Sequence, residues 1–166
     1  MNLFVTYFDK AFYSRGLEML KSIKSARPFE IMVLALDQDT EASLKNENIP
    51  NLSIIPLSEM SKADISAATD KSFFFTLTAD FCAFCQNARP LHKALLYIDA
   101  DIKFYQSVDI ILDEVDSASV AFAKHRHPTI LANRYIKYGL YNVGINYFKN
   151  DSQGNDAVTL WCQRCG

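Results

Sequence analysis

The fold is decided by residues 94–101, Ala-Leu-Leu-Tyr-Ile-Asp-Ala-Asp. The first five are apolar or aromatic, a run typical of a strand buried on both faces of a sheet. Asp99 and Asp101 follow directly, and because side chains two residues apart in an extended chain point the same way, we expect their carboxylates to converge. Such hard oxygen ligands favour Mg²⁺ or Mn²⁺ bridged to a diphosphate. A merely solvated acidic strand end is the alternative, because D-x-D is a short motif.

Short apolar runs alternate with helical patterns on both sides of this segment. Strands are predicted at 2–8, 31–36, 52–55, 94–98, 119–123 and 143–148. Helices are predicted at 12–26, 40–48, 74–88 and 108–115, and from about Asp151 onward. The polar segment 58–72 is interpreted as a short helix or a loop. This alternation predicts an α/β fold with a mostly parallel central sheet and helices on both faces.

The composition is that of an ordinary globular domain. The 166 residues suffice for one folding unit, and apolar and charged shares of 49% and 22% exclude disordered, collagen-like and coiled-coil proteins. Seventeen Lys and Arg against nineteen Asp and Glu give a net charge of −2, so no positive excess favours nucleic acid as a partner. Charged residues interrupt every apolar run before the ~18 residues of a membrane span, and no export leader precedes Asp9. We therefore expect a cytoplasmic protein without a transmembrane segment.

Several other segments accompany the two aspartates in a recognisable order. The first predicted strand leads into Thr6-Tyr7-Phe8-Asp9, and a second apolar run ends at Leu36-Asp37. A later run begins with Tyr141-Asn142-Val143-Gly144. With D-x-D, this order resembles the nucleotide-diphospho-sugar transferases of the GT-A fold over nearly the whole chain. The resemblance implies one Rossmann-like GT-A domain over 1–166 that binds a nucleotide-diphospho-sugar donor and transfers the sugar to a saccharide, lipid or protein acceptor. Such enzymes usually continue further, so we expect a domain truncated at its C-terminus.

The resemblance also implies roles for the two aspartates. Asp99 would contact the ribose, or the metal through water, and Asp101 would bind the Mn²⁺ or Mg²⁺ ion. The cation would offset the negative charge that grows on the nucleoside diphosphate as the sugar–phosphate bond breaks. The aspartates would therefore serve the leaving group, and they are not predicted to be nucleophiles.

Five further residues are assigned to donor binding by the same resemblance. Thr6, Tyr7 and Asp37 would lie at strand ends that face the nucleotide, and Asn142 and Gly144 would border the donor sugar. Packing is the alternative role for Thr6 and Tyr7. Asp37 alternatively caps the next helix, and Gly144 alternatively allows close backbone approach.

The segment 117–150 is locally basic. It contains no Asp or Glu, and Lys124 and Arg126 lie in it, next to His125 and His127. We expect Lys124, Arg126 or a neighbouring histidine to hold the diphosphate or an anionic acceptor, as basic clamps do. A solvated basic loop is the alternative.

Four cysteines form two C-x-x-C pairs, Cys82 with Cys85 and Cys162 with Cys165. Four thiolates can close a structural zinc site, but 76 residues separate the pairs, against roughly 15–20 in the usual zinc ribbon. Cys85 lies on the apolar face of a predicted helix and is simplest as a small core residue. A redox role fits less well, because Cys82 lies in mid-helix rather than at a positive helix N-terminus.

Two other functions compete with sugar transfer. In hydrolases of the haloacid dehalogenase type an apolar strand also ends in D-x-D, and the first aspartate is a nucleophile. There the motif typically closes the first strand, whereas three predicted strands precede Asp99 here. A nucleotide-binding module without catalytic activity is the other alternative.

Overall fold

The computed structural model describes residues 1–60, 71–124 and 140–165, the side chains of 71–75 and 165 excepted. Its strands are β1 Asn2–Phe8, β2 Phe29–Ala35, β3 Leu52–Pro56, β4 Ala94–Ile98, β5 Val120–Lys124 and β6 Tyr141–Lys149. Its α-helices are α1 Tyr13–Ser22, α2 Gln38–Lys45, α3 Lys71–Ala88, α4 Asp109–Glu114 and α5 Ser152–Cys165. A 3₁₀ turn spans Leu57–Glu59. The order of strands and helices along the chain is the predicted one.

The strands form one sheet in the order β3-β2-β1-β4-β6-β5. β3, β2, β1 and β4 are parallel to one another, whereas β6 runs antiparallel to both β4 and β5. The prediction of a mostly parallel α/β sheet is confirmed, with β6 as the exception. Because β6 runs against β4, its first residues lie beside the carboxyl end of β4, where the Asp99 N–H donates to the Gly144 carbonyl at 2.8 Å.

Helices pack on both faces of the sheet, as predicted. One face carries α1, α2 and α4, and Phe4 and Leu96 belong to its apolar core. The other face carries α3 and α5, with Leu95, Phe81 and Phe148 in its core. Every residue of β4 is at most 3% exposed. Since each large buried side chain contributes about 1.5–3 kcal/mol, β4 anchors both cores.

Several helix ends differ from the predicted bounds: α2 ends at Lys45 rather than Asn48, and α3 begins at Lys71 rather than Phe74. Two other differences have local reasons. α1 ends at Ser22 rather than near Ala26, because Ile23 takes extended backbone (φ −67°, ψ 119°) and the Lys24 carbonyl instead accepts the Val108 N–H at 3.0 Å. α2 begins at Gln38 rather than Thr40, because the Asp37 side chain accepts the Thr40 N–H. Of the uncertain segment 58–72, residues 61–70 lie outside the described ranges.

The pairing between β5 and β6 is irregular close to the carboxyl end of β4. Phe122 pairs with Asn146, but its neighbour Ala123 pairs with Asn142, so residues 143–145 fall between the two pairs. Such bulges bend a strand and re-aim its side chains, often beside ligand sites. Gly144 lies within this bulge and still accepts the Asp99 N–H from β4.

A helix that spans a bilayer must be both long and apolar. Within the described ranges, none combines the length and apolarity needed to span one.

Gly154, near the start of α5, lies against the backbone at the end of β6. A Cβ atom there would overlap the Lys149 carbonyl oxygen and lie 3.0 Å from the Ser119 carbonyl oxygen. Gly154→Ala should therefore lower the free energy of unfolding by about 1–3 kcal/mol, the usual cost of overpacking. Urea denaturation should show this loss, whereas Gln153→Ala, at the exposed neighbouring position, should stay within about 0.5 kcal/mol of the wild type. Equal stability of the two variants would contradict this account of the α5 contact.

Candidate nucleotide and metal site

A cavity of about 340 Å³ opens at the carboxyl ends of β1 and β4. It is lined by Tyr7, Phe8, Asp9, Phe12, Leu36, Tyr97, Asp99, Ala100 and Asp101. The strand order reverses between β1 and β4, since β2 and β3 lie on one side of β1 and β4 on the other. Ligands of open α/β sheets bind in the crevice at such a switch point, and the volume suits a small molecule.

Asp99 and Asp101 both line this cavity, but not for the reason expected from the sequence. The chain turns directly after β4, and the Ile102 N–H donates to the Asp99 carbonyl at 3.1 Å. The prediction that the two aspartates occupy alternate positions of an extended strand is therefore wrong. The turn, together with the position of β4 beside β1, brings both residues to the cavity.

Asp99 lies at the boundary between core and cavity. The Tyr97 hydroxyl donates to Asp99 Oδ1 at 2.8 Å. Burial raises the pKa of Asp99, the Tyr97 hydrogen bond lowers it, and the charge of Asp101 raises it; the net shift is upward. An upward shift means that the ionised carboxylate lacks full electrostatic compensation at this position.

Compensation does not come from basic side chains in the described part of the chain. The ion pairs of residues 1–60, 71–124 and 140–165 do not include Asp99 or Asp101. Two carboxylates on one cavity, neither paired with a basic side chain of the described residues, form an electrostatic environment that favours a cation.

Gly144 keeps open the space beside Asp99. A Cβ atom at this position would lie 3.1 Å from Asp99 Oδ2 and 3.0 Å from Asn142 Oδ1. The Asn142 oxygen also accepts the Gly144 N–H at 2.7 Å. Thus β4 and β6 bring a carboxylate and an amide oxygen to the same point, and both are hard donors of the type that Mn²⁺ and Mg²⁺ prefer. No group of three or more His, Cys, Asp or Glu side chains that could hold a metal occurs among the described residues.

The two predicted residues of β1 have different environments. Tyr7 lines the cavity, and its hydroxyl shares a hydrogen bond of 2.8 Å with Thr78 Oγ1 of α3. Thr6 does not line the cavity; its side chain is buried, and Oγ1 has no hydrogen-bond partner among the described residues. Thr6 lies on the same face of β1 as Phe8 but two residues earlier in the strand, and the cavity lining on β1 begins at Tyr7.

Asp37 caps the N-terminus of helix α2. Its Oδ1 accepts the Thr40 N–H at 2.7 Å, and its Oδ2 accepts the Lys10 N–H at 2.7 Å. Burial raises the pKa of Asp37, but these hydrogen bonds from Thr40 and Lys10 outweigh burial, so its pKa is lowered. Asp37 thus connects the loop after β1 to the start of α2, and only its neighbour Leu36 lines the cavity.

Lys124 is the exposed last residue of β5, and it pairs with Tyr141 at the start of β6. That register places its backbone next to the strand that carries Asn142 and Gly144. Arg126, His125 and His127 lie outside the described residues.

Six residues that line the cavity were not predicted as site residues from the sequence: Phe8, Asp9, Phe12, Leu36, Tyr97 and Ala100. Asp9 directly follows β1, and its Oδ1 accepts the Phe12 N–H at 3.1 Å. Phe12 is 44% exposed, and the Arg15 guanidinium lies 5.4 Å from the centre of its ring. Asp9 had a detectable signal, because a polar residue directly after a parallel strand lies at the same sheet edge as Asp99. Tyr97 was predicted only as part of an apolar strand.

The cysteines of α3 belong to the core. Cys82 and Cys85 are both 0% exposed, and burial raises the pKa of each thiol. A buried thiol with a raised pKa is a poor nucleophile and a poor metal ligand. This environment supports the interpretation of Cys85 as a core residue.

Sequence comparisons find a distant bacterial relative and no family match. No protein-family model matches the chain. The chain is 23% identical over 175 residues to the uncharacterized protein YfnF of Bacillus subtilis strain 168, an alignment covering 98% of the chain and 57% of that relative. The chain thus spans a little over half of its relative's length.

Solved glycosyltransferases share the fold. Mouse xyloside xylosyltransferase 1 matches all of this chain with 72% of its own, at a TM-score of 0.64 and 11% identity. The galactosyltransferase LgtC, solved with donor and acceptor sugar analogues, matches 99% of this chain with 64% of its own, at a TM-score of 0.64 and 13% identity. GlyE of Streptococcus pneumoniae TIGR4 matches 96% with 36% of its own, at a TM-score of 0.55 and 16% identity. The chain therefore has the GT-A-type fold of nucleotide-sugar glycosyltransferases.

The capping role of Asp37 predicts a loss of stability on truncation. Asp37→Ala should lower the free energy of unfolding by about 0.5–2 kcal/mol, because the Thr40 N–H loses its acceptor. Asp37→Asn should retain most of the stability, since asparagine caps helices about as well as aspartate. Urea denaturation at pH 7 distinguishes the two variants; an alanine variant as stable as the wild type would show that the cap is dispensable.

Proposed function

We propose that this chain is a glycosyltransferase domain that binds a nucleotide-diphospho-sugar through a divalent metal ion at its D-x-D motif. The acceptor would be a saccharide, a lipid or a protein. The observation that carries the proposal is the pair Asp99 and Asp101 on one cavity at the β1–β4 switch point of a GT-A fold. A diphosphate needs a counter-charge in such a cavity, and no basic side chain of the described residues pairs with the aspartates.

Oxygen ligands around Gly144 support Mn²⁺ or Mg²⁺ as the cation. Asp99 and Asp101 would hold the ion, with oxygens of the diphosphate completing its coordination. When bound, the ion supplies positive charge that stabilises the departing nucleoside diphosphate. Asn142 would accept or donate a hydrogen bond at the edge of the donor sugar. The aromatic wall formed by Tyr7, Phe8 and Phe12 would exclude water from one side of the donor.

A hydrolase of the haloacid dehalogenase type has less support. Its motif typically closes the first strand, whereas β4 is the fourth described strand and lies in the middle of the sheet.

A nucleotide-binding module without catalytic activity predicts the same cavity and differs only in the absence of turnover. The protein would be incubated with the donor, either in water alone or with a mixed acceptor library, and release of nucleoside diphosphate would be measured. Release would indicate transfer, whereas donor binding without release would indicate a binding module.

The proposed metal site predicts that donor binding depends on Mn²⁺ and on both aspartates. Calorimetry with UDP- and GDP-sugars should detect binding with Mn²⁺ and at least tenfold weaker binding, about 1.4 kcal/mol, without it. Asp99→Asn and Asp101→Asn should each cause a similar loss, because an amide removes the negative charge from the site.

The matched control is Asp156→Asn, the same chemical change on an exposed position of α5. Its affinity for the donor should equal that of the wild type. Binding that is indifferent to both Mn²⁺ and the two site substitutions would reject the proposed site. Release of inorganic phosphate from simple phosphomonoesters would support the hydrolase instead.

The basic segment predicts a smaller effect on the same equilibrium. Lys124→Ala/Arg126→Ala should weaken donor binding two- to fivefold, about 0.5–1 kcal/mol, with the difference shrinking at high salt, because exposed charges are screened. Lys24→Ala/Lys45→Ala removes two positive charges elsewhere and should leave the affinity unchanged. Equal affinities of the two double variants would remove Lys124 and Arg126 from the donor site.

A further inference from the structure

We propose that Tyr97 is a positioning residue for the metal site, whose hydroxyl holds Asp99 Oδ1 so that Oδ2 is presented to the cation. This inference rests on the proposed function, because it takes Asp99 to be a ligand of the metal–diphosphate complex. It adds a residue from inside the sheet to a site otherwise built from residues at its edge.

The two carboxylate oxygens of Asp99 have different environments. Oδ1 accepts the Tyr97 hydroxyl at 2.8 Å. Oδ2 is the oxygen on the Gly144 side, 3.1 Å from the position that a Cβ atom would occupy there. A carboxylate held at one oxygen cannot rotate freely about its terminal bond, so the other oxygen keeps a defined direction.

Tyr97 is itself held in place by its surroundings. It lies on β4, is 3% exposed, and its ring centre lies 5.8 Å from that of Tyr7 on β1. The Tyr7 hydroxyl in turn hydrogen-bonds Thr78 of α3 at 2.8 Å. Asp99 is thus connected through two aromatic residues to the adjacent strand and to the helix that covers this face of the sheet.

Such support matters because a ligand that is already oriented loses less entropy when the cation binds. Hydrogen bonds to ligating carboxylates fix their direction, and their removal typically costs about 10–100-fold in metal affinity. Phenylalanine at position 97 keeps the ring and its packing and removes only the donor. Tyr97→Phe therefore separates the positioning role from the packing role.

The test measures Mn²⁺ binding directly. Mn²⁺ is titrated into wild type, Tyr97→Phe, Tyr147→Phe and Asp99→Asn, alone and with UDP or GDP, and free Mn²⁺ is followed by electron paramagnetic resonance. Tyr147 is the matched control, because it is also buried but packs on the opposite face of the sheet. Urea denaturation of the metal-free proteins shows whether each variant is folded and how stable it is.

We expect Tyr97→Phe to raise the Mn²⁺ dissociation constant about tenfold, and Tyr147→Phe to leave it unchanged. Metal affinity equal to that of the wild type in a folded Tyr97→Phe, while Asp99→Asn binds weakly, would overturn the positioning role and leave the proposed function standing. Wild-type affinity in Asp99→Asn, or absence of Mn²⁺ binding in the wild type, would overturn the metal site and Tyr97's role with it.

Discussion

Strand β4 is buried on both faces, yet the carboxylate of Asp99 follows it directly. The arrangement of the site depends on how this charge is accommodated beside the core. The five residues of β4 pack into the two cores of the sheet. Asp99 is the first residue beyond them, and burial would favour its neutral form. The hydrogen bond from Tyr97 offsets part of that cost. A carboxylate is thus held at the edge of the core, and no basic side chain of the described residues pairs with it.

The antiparallel strand β6 supplies the other half of the arrangement. Because it runs against β4, its first residues meet the end of β4, and the bulge at 143–145 directs Gly144 and Asn142 toward Asp99. In a fully parallel sheet the neighbouring strand would bring its last residues there instead. Tyr7 at the end of β1 and Leu36 directly after β2 line the same cavity as Asp99, so residues far apart in sequence meet there.

Much of the fold was predictable from the sequence, and less of the site. Apolar runs and helical periodicity reflect burial, which each segment reveals by itself, so the alternation of strands and helices and the position of Asp99 after β4 followed directly. Thr6 and Asp37 show the limit. Both lie near the carboxyl end of a parallel strand, yet the Thr6 side chain is buried and the cavity lining begins one residue later, at Tyr7. Both Asp37 oxygens accept backbone N–H groups. Side-chain direction and hydrogen-bond partners are set by neighbours from elsewhere in the chain.

From residue order alone it follows that a buried strand is followed by two acids, that an α/β sheet surrounds it, and that the chain resembles nucleotide-sugar transferases. These properties are local or depend on residue order. Folding in three dimensions sets the antiparallel direction of β6 beside β4, the turn that carries Asp99 and Asp101, and the hydrogen bond from Tyr97 to Asp99. Strand pairing and side-chain hydrogen bonds join segments that are distant in sequence. The residues of one segment alone do not specify which other segment will pack beside it.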